Sequence, residues 1–267
     1  MVSAGADRKC TAKVAIPVYR TDLSPTERLS LERCMDVLGR HPVVLFQPES
    51  LDTSALLTAY PGLATERFAD GYFAGRDGYN RLMLSAAFYQ RFIETDYLLI
   101  HQLDAFVFRD ELTQWCLRGY DYIGAPWLAP HSFTEKIGER LKPRATRQRH
   151  QRKYGRVGNG GFSLRRVAPF IRVATRHEDA IQAHLQLDAG YRSAVYEDMF
   201  WGTRAPVLEP GFSIPGQSEA LEFAIDHRPW AALRLNQGQL PFGCHGFEKR
   251  RVRRFWEPLI EAALAGD

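Results

Sequence analysis

Several features that mark particular classes of protein are missing from this sequence of 267 residues. Its four cysteines, Cys10, Cys34, Cys116 and Cys244, form no CxxC pair, which argues against a disulfide framework or a thiolate zinc site and favours a reducing compartment. No apolar run approaches the roughly 20 residues of a membrane span. The first nine residues contain no apolar stretch of signal-peptide length, so we expect a cytoplasmic protein.

Composition is that of an ordinary globular protein, with 45% hydrophobic and 25% charged residues, and the length suits one domain over residues 1–267. The net charge of +4 is too small to indicate nucleic acid, but it is unevenly spread. Residues 136–156 hold nine basic residues against one acidic residue, and we interpret 130–156 as a basic insertion or loop. The final segment, 248–267, is predicted to be a basic-aromatic helix.

The first fifty residues alternate between strand and helix patterns after a tail, 1–12, that we expect to be flexible. Lys13–Tyr19 and Pro42–Gln47 are predicted strands, and Ser24 begins a helix with the Ser-Pro-Thr-Glu pattern of a capping box. This alternation favours an α/β fold with a mostly parallel sheet. Tyr97–Ile100 is apolar enough for a central strand. Further helices are predicted over 79–94, 112–117, 167–174 and 177–187, and further strands over 105–108 and 120–124.

Four features in chain order could carry chemistry: Asp104 at the end of the central strand, the run Gly158-Asn159-Gly160-Gly161, the pair Glu197-Asp198, and His245 near the end. Each alone also fits a structural role, as a turn residue, a helix-dipole partner or a packed histidine. Together they match another pattern. Carboxylate, imidazole and phosphate oxygens bind Mg²⁺ or Mn²⁺, glycines allow close approach, and an aspartate can act as a base. The set therefore indicates metal-assisted transfer from a diphosphate to a hydroxyl.

The chain resembles the GT-A-fold glycosyltransferases, whose strand-end DxD motif, Gly-rich loop, xED motif and C-terminal histidine occur in this order. More closely, it resembles a microbial family of predicted glycosyltransferases. The runs that carry this likeness are YNRLMLS, LIHQLDAFVF, GYDYIGAPW, VGNGGFSLRR, EDMFW and LPFGCH, starting at positions 79, 99, 119, 157, 197 and 240. The resemblance implies a single Rossmann-like GT-A domain with a mostly parallel mixed sheet between helices.

The resemblance also implies roles for particular residues. Asp104 takes the last position of DxD, where it would bind Mn²⁺ or Mg²⁺ together with His245. Gln102 replaces the first aspartate of that motif, which leaves one carboxylate fewer but can still bind a ribose hydroxyl. Asp198 corresponds to the xED base of inverting enzymes, and Glu197 beside it would bind the acceptor or orient the turn. The donor would be contacted by Pro17, Val18, Tyr19, Arg20, Arg76, Asn80, Gln102, Asp104, Gly160 and Gly161.

Two tryptophans and the basic runs suggest further partners. Trp127 and Trp201 could stack on acceptor sugars, although packing in the core is an alternative. The basic segment could be a mobile loop, or it could cover the diphosphate or attract an anionic acceptor. Residues 249–256 suit an anionic membrane surface as a peripheral contact, with a packed, solvated helix as the alternative.

From this sequence we expect transfer of a sugar from a nucleotide sugar, UDP-linked, to a glycan or lipid-linked glycan. The setting implied by the resemblance is assembly of cell-surface polysaccharide or lipopolysaccharide, at the inner face of the plasma membrane. Two alternatives remain, a retaining transferase on the same fold and a carbohydrate- or nucleotide-binding module without catalysis. We expect no nucleic-acid partner, because only the basic runs favour one.

Overall fold

The computed structural model describes residues 10–186 and 196–266, so the first nine residues of the predicted tail and Leu187 at the end of a predicted helix lie outside it. The strands are β1 (Ala12–Pro17), β2 (Val43–Pro48), β3 (Leu63–Phe68), β4 (Tyr97–His101), β5 (Ala105–Val107), β6 (Tyr122–Gly124), β7 (Phe162–Arg166), β8 (Ala224–Ile225) and β9 (Gly243–His245).

The helices alternate with the strands along the chain and add a 3₁₀ turn, Asp70–Phe73, and a π turn, Phe200–Arg204. They are α1 (Pro25–Leu38), α2 (Ser54–Ala59), α3 (Gly75–Leu84), α4 (Ala86–Gln90), α5 (Leu112–Leu117), α6 (Phe133–Arg140), α7 (Arg144–Lys153), α8 (Val167–Arg176), α9 (Glu178–Gln186), α10 (Glu197–Met199), α11 (Ala205–Leu208), α12 (Gln217–Phe223), α13 (Pro229–Leu235) and α14 (Arg253–Ala265).

A six-stranded sheet in the order β3-β2-β1-β4-β7-β6 forms the centre of the fold. The first four strands are parallel, whereas β7 is antiparallel to both β4 and β6. The predicted mixed, mostly parallel α/β fold is confirmed. The predicted capping box is present, since the Ser24 hydroxyl accepts from the Glu27 amide and the Glu27 carboxylate accepts from the Ser24 amide.

Alternate residues of the central strands pack into two cores, one on each face of the sheet. In β1, Val14 and Ile16 belong to one core and Ala15 to the other, and β2 and β4 divide in the same way. Because these strands are covered on both faces, their sequences are almost wholly apolar. The polar residues that follow them therefore mark the edge of the sheet.

A second, three-stranded sheet, in the order β5-β9-β8, packs with α14 in a third apolar cluster. Trp256 of α14 is fully buried there, and Phe255 packs edge-on against it. The helix begins at Arg253, five residues later than the predicted start at 248. The predicted membrane-facing aromatic surface is thus wrong for Trp256, because its ring fills the interior.

The basic segment forms helices where we predicted a loop of uncertain structure. Ser132 caps α6 through a second capping box with Glu135, and α7 follows after Pro143. Across residues 10–186 and 196–266, no helix is both long enough and apolar enough to cross a membrane.

Strand order determines where a ligand can bind. The chain moves from β1 outward to β2 and β3, and then returns to place β4 on the other side of β1. Such a reversal leaves a crevice at the carboxyl ends of the two strands, where α/β sheets bind their ligands. Gln102 and Asp104 directly follow β4 at this point.

Candidate active site

A cavity of about 370 Å³ opens at this crevice. It brings together residues from motifs that are far apart in the sequence. The predicted site residues that line it are Arg76, Asn80, Gln102, Asp104, Trp127, Gly160, Gly161, Glu197, Asp198 and His245. Strand pairing explains part of this convergence, because β7 is antiparallel to β4 and its first residue, Phe162, pairs with His101. The loop before β7 therefore lies beside the polar end of β4.

The residues predicted to hold the nucleotide base do not line the cavity. Pro17 and Val18 are buried at the end of β1, while Tyr19 and Arg20 are exposed. Arg20 pairs with Glu27 at 2.7 Å. The pKa of the Tyr19 hydroxyl is raised, first by desolvation and then by the negative charge of Asp104. The charge of this site residue therefore acts on Tyr19, although Tyr19 does not line the cavity.

Trp201 is wrongly predicted as an acceptor-binding residue. Its side chain is fully buried, and its indole N–H donates to the Met83 carbonyl at 3.1 Å. It packs against Phe170, with ring centroids 4.1 Å apart. Trp201 therefore belongs to one of the two sheet cores and has no face for a sugar.

Asp104 and His245 meet at the cavity, with Nε2 of the imidazole 3.0 Å from Oδ1 of the carboxylate. Pairing of β5 with β9 brings them together, because Ala105 lies opposite His245 in the ladder. Gln102 completes the group, with its amide oxygen 3.3 Å from His245 Nε2 and its amide nitrogen donating to Tyr79 at 3.0 Å. The glutamine, which stands where the resemblance predicts an aspartate, thus contacts both Tyr79 and the imidazole.

Asp226, His227 and Lys249 also line the cavity and were not predicted. Asp226 follows β8, whose Ile225 pairs with Cys244, so its carboxylate comes within 3.4 Å of His245 Nδ1. Lys249 Nζ lies 3.6 Å from the same carboxylate. A polar pair directly after the short apolar run Ala224-Ile225 was the signal available in the sequence.

His245 and the carboxylates of Asp104 and Asp226 stabilise one another's ionised forms. Burial opposes ionisation of His245, but Asp104 and then Asp226 raise its pKa to about 9. Burial acts against Asp226 as well, and His227 and His245 hold its pKa below the usual range. In the free protein, His245 is therefore a cation between two carboxylates.

Asp198, in α10, also lines the cavity. Its Oδ1 is shielded from solvent and has no hydrogen-bond partner among the described residues. Burial and then the neighbouring charge of Glu197 raise the pKa of Asp198 to about 7. A carboxylate with this pKa can accept a proton near neutral pH.

Glu197 has a different role from its neighbour. Its carboxylate forms an ion pair with Arg165 at 2.9 Å, and both side chains are almost completely buried. Its backbone N–H donates to the Asn80 side-chain oxygen at 3.1 Å. Glu197 and Asn80 therefore fix the start of α10 and with it the direction of Asp198.

The glycine loop is shaped by the side chains that pack against it. A Cβ at Gly160 would overlap a carboxylate oxygen of Glu197, and one at Gly161 would overlap the imidazole of His245. Asn159, with a φ of 72°, accepts a hydrogen bond from the Gly161 amide at 2.9 Å. We expected these glycines to admit substrate; what the structure shows is that they make room for the side chains of two site residues, Glu197 and His245.

Trp127 and Arg76 stand at the sides of the cavity. Trp127 is only 5% exposed, because Gly158 and Gly202 lie directly against its ring, and Lys153 of α7 lies 5.6 Å from its centroid. The predicted insertion therefore reaches the site through Lys153. Arg76 donates to the Tyr196 hydroxyl at 3.2 Å across the cavity.

The residues present can provide part of a metal site. Ligands of a divalent transition metal lie about 2.0–2.2 Å from the ion, so two adjacent ligands are about 3 Å apart, as the Asp104 and His245 atoms are. Within the described part of the chain, no group of three or more His, Cys, Asp or Glu is arranged to hold a metal. Asp104 and His245 therefore fit a cation whose other ligands come from a bound diphosphate or water, once His245 has lost its proton.

Solved structures with a similar fold are glycosyltransferases. A galactosyltransferase, LgtC, in complex with donor and acceptor sugar analogs is 12% identical, with a TM-score of 0.52 over 87% of this chain and 86% of that chain. An active-site mutant of LgtC is 13% identical with the same TM-score and coverage. Mouse xyloside xylosyltransferase 1 in its apo form is 14% identical, with a TM-score of 0.49 over 88% of this chain and 97% of that chain. At these identities the two LgtC structures establish the fold, and the chain has a GT-A fold.

No curated protein matches the sequence significantly. The sequence model of one family, described as "Protein of unknown function (DUF5672)", matches residues 62–245. The matched range runs from just before β3 to His245 and includes Asp104, the glycine loop and Asp198. Because the match covers more than half of the sequence, the chain belongs to the DUF5672 family.

Proposed function

We propose that this protein is an inverting glycosyltransferase that moves a sugar from a UDP-linked donor to a hydroxyl of a glycan or lipid-linked glycan. The observation that carries the proposal is the position of Asp198. Asp198 lines the same cavity as the Asp104–His245 pair, and one of its carboxylate oxygens has no hydrogen-bond partner among the described residues, so a base and a diphosphate-binding group share one space. Glycosyltransferases with a similar fold support this reading.

The donor is oriented by the distribution of charge. The diphosphate lies against Asp104, His245 and Lys249, where a cation or the two basic side chains can neutralise it. The nucleoside extends toward Tyr19 and Arg20 beyond β1, beside Asp104 but outside the cavity. The sugar then occupies the space between the diphosphate and the glycine loop.

The reaction is a single displacement at the anomeric carbon. The bond from this carbon to the diphosphate oxygen breaks, and its electron pair stays with the diphosphate. The acceptor oxygen forms the new bond from the opposite face, and its proton passes to Asp198. The carbon develops oxocarbenium character, as in glycoside hydrolysis.

Neighbouring residues assist without taking part in bond exchange. Lys249 offsets the growing negative charge of the leaving group, and Glu197 with Arg165 holds Asp198 in place. Mn²⁺ or Mg²⁺ bound by Asp104 and His245 would supply Lewis-acid neutralisation of the diphosphate.

The test is turnover of a panel of nucleotide sugars, followed as release of nucleoside diphosphate with mixed glycan acceptors. We expect Asp198→Asn to lower turnover at least about a hundredfold, because the amide cannot accept the acceptor's proton. The donor affinity, measured by calorimetry, should change little. Undiminished turnover in this variant would remove Asp198 as the base. The anomeric configuration of the product separates inversion from retention, since retention would require other roles for the carboxylates.

One observation favours a second candidate, a nucleotide- or carbohydrate-binding module without catalysis. Gln102 stands where the first carboxylate of the DxD motif is expected, and its side chain is held by Tyr79 and His245. Donor binding without release of nucleoside diphosphate under any acceptor would favour this candidate.

The proposed setting is assembly of cell-surface polysaccharide or lipopolysaccharide from the cytoplasmic side, with peripheral contact to the plasma membrane. Support for the membrane contact is limited to the basic side chains of 249–254 that are exposed. We propose no nucleic-acid partner.

A further inference from the structure

A second and larger cavity, of about 870 Å³, adjoins the candidate active site. Five residues line both cavities, so the two form one continuous depression: Trp127, Lys153, Asp226, His227 and Lys249. Its outer walls are α6 and α7 on one side, the start of α13 on another, and the segment 249–252 on a third. The two basic runs of the sequence, far apart along the chain, therefore face the same space.

Charge in this outer cavity is strongly positive. Its lining holds six basic side chains, counting only lysine and arginine, against three acidic ones. Each acidic residue is already paired within the lining. Glu135 pairs with Arg228 at 3.0 Å, Glu139 with Lys142 at 2.8 Å, and Asp226 with Lys249 at 3.6 Å.

Arg250 and Arg251 take no part in these ion pairs. Both are exposed, and within the described part of the chain neither has an acidic partner. Exposed arginines with unused fork-shaped donors suit carboxylate or phosphate groups. An aromatic surface stands beside them. Trp230 lines this cavity and is 52% exposed, and its ring packs edge-on against Phe255, with ring centroids 5.0 Å apart.

We infer that this outer cavity, lined by α6–α7, Trp230 and the 249–252 segment, is the acceptor site and takes an acidic sugar chain bearing carboxylate or phosphate groups. The inference rests on the proposed function for the identity of the reaction. Its physical basis is complementarity, because a sugar ring stacks on Trp230 while its anionic groups meet Arg250 and Arg251. The chain end then reaches Asp198 past Trp127 and Lys153, which both cavities share.

Charge-reversal variants with matched controls test the site. The probe is a short oligogalacturonate, which carries a carboxylate on every sugar, and the reference is the same oligomer with methyl-esterified, uncharged groups. We expect the wild type to bind the acidic oligomer at least about tenfold more tightly, and Arg251→Glu to weaken that binding at least about fivefold. Arg254→Glu, which reverses another exposed charge outside the cavity, should change the affinity by less than about twofold.

Stacking is tested separately. Trp230→Ala should weaken binding of both oligomers, whereas Phe133→Ala, which removes a 77% exposed ring outside both cavities, should not. Equal affinity for the acidic and esterified oligomers would overturn the inference. So would equal losses from Arg251→Glu and Arg254→Glu, because the charge would then act as a general surface, as in binding to anionic phosphatidylglycerol vesicles.

A parallel measurement separates this inference from the proposed function. UDP-sugar binding to the wild type, followed by calorimetry, reports on the inner cavity without any acceptor. Donor binding together with failure of the oligomer tests contradicts only the acidic acceptor. Oligomer binding that follows the expected pattern, without binding or turnover of any nucleotide sugar, contradicts the transferase and leaves an acidic-glycan site.

Discussion

Asp198 differs from the other carboxylates of the cavity in what surrounds it. Asp104 and Asp226 have cationic partners within 4 Å, whereas Asp198 has a shielded oxygen without a partner and a second carboxylate next to it in the sequence. Its pKa is raised to about 7, while those of Asp104 and Asp226 are lowered. Two classes of carboxylate in one cavity are what a transferase needs, one class to hold charge and the other to exchange a proton.

If Asp198 is the base, activity must depend on its ionisation. We expect kcat/KM to fall about tenfold per pH unit below a pKa near 7, because the protonated carboxyl cannot accept the acceptor proton. The measurement is the initial rate of nucleoside diphosphate release between pH 5 and 9. A value of kcat/KM that stays level from pH 7 down to pH 5 would show that another group controls the rate.

The same shift makes a prediction about stability. A carboxyl whose pKa rises on folding stabilises the protein fully only below its unfolded value, and this contribution is lost as the pH rises through about 7. Asp198→Asn should therefore raise the midpoint of denaturation at pH 8 and change it little at pH 4. Asp77→Asn, at an exposed position of α3, is the control and should raise the midpoint at pH 8 by less than Asp198→Asn does. Stabilisation that is the same at both pH values would contradict the burial of this charge.

The two loop glycines give a further test at single positions. Alanine at Gly161 would place a methyl group in the imidazole of His245, and alanine at Gly160 would do so in the carboxylate of Glu197. We expect each substitution to reduce activity at least about tenfold and to lower the free energy of unfolding by about 1–3 kcal/mol. Gly211→Ala, with open space around it, should do neither. Unchanged activity in both site variants would mean that these contacts are not needed.

Sequence reasoning found these residues by type and order, and its errors come from side-chain direction. Asp104, Asp198 and His245 were predicted from their residue types, their order along the chain and the resemblance to GT-A-fold glycosyltransferases, and all three line one cavity. Trp201 lies only three residues after Asp198, but it belongs to the π turn Phe200–Arg204, and its side chain is fully buried in the core. Adjacency to a polar site residue does not reveal which face of a turn a side chain occupies.

At the scale of elements, β7 was missed because its sequence continues a glycine-rich loop. The sequence of Phe162–Arg165 alternates between apolar and polar residues, but its first residues resemble a continuation of the glycine turn, and in the structure all four are buried. Its antiparallel pairing with β4 is a long-range choice that no local pattern contains. The same holds for β8 and β9, which are two and three residues long and bring Asp226 beside His245 only through their pairing.

The buried ion pair between β7 and α10 makes a prediction at this scale. Arg165 and Glu197 are almost fully buried, so removing one leaves the other charge without compensation. We expect Arg165→Met or Glu197→Leu each to cost about 3–5 kcal/mol, and the double variant to cost less than the two together. The measurement is a double-mutant cycle in urea. The exposed pair Arg253–Glu257 is the control, with a coupling of about 0.5 kcal/mol or less. Strict additivity at Arg165 and Glu197 would contradict the pair's role in fixing α10.

For the whole molecule, the net charge of +4 does not describe the local charge of either the inner or the outer cavity. The lining of the inner cavity holds four acidic side chains against three lysines and arginines, whereas the lining of the outer cavity holds three acidic side chains against six. This gradient arises because two basic runs, separated by about a hundred residues, are brought to one side of the fold. Composition could not reveal it, since only the tertiary structure places α7 and the 249–252 segment together.

The inner charges lead to a prediction about cation and nucleotide together. Asp104 and His245 would supply two ligands of the proposed cation, and the diphosphate of UDP would add further ones, so we expect Mn²⁺ and UDP to bind cooperatively. We expect the two together to raise the thermal midpoint by more than the sum of their separate effects, on the order of 5 °C when both are well above their dissociation constants. Asp104→Ala and His245→Ala should each abolish the extra shift, and Asp77→Asn should keep it. A full shift by UDP in the presence of a chelator would instead indicate that the lysines at the cavity, Lys153 and Lys249, neutralise the diphosphate without a metal.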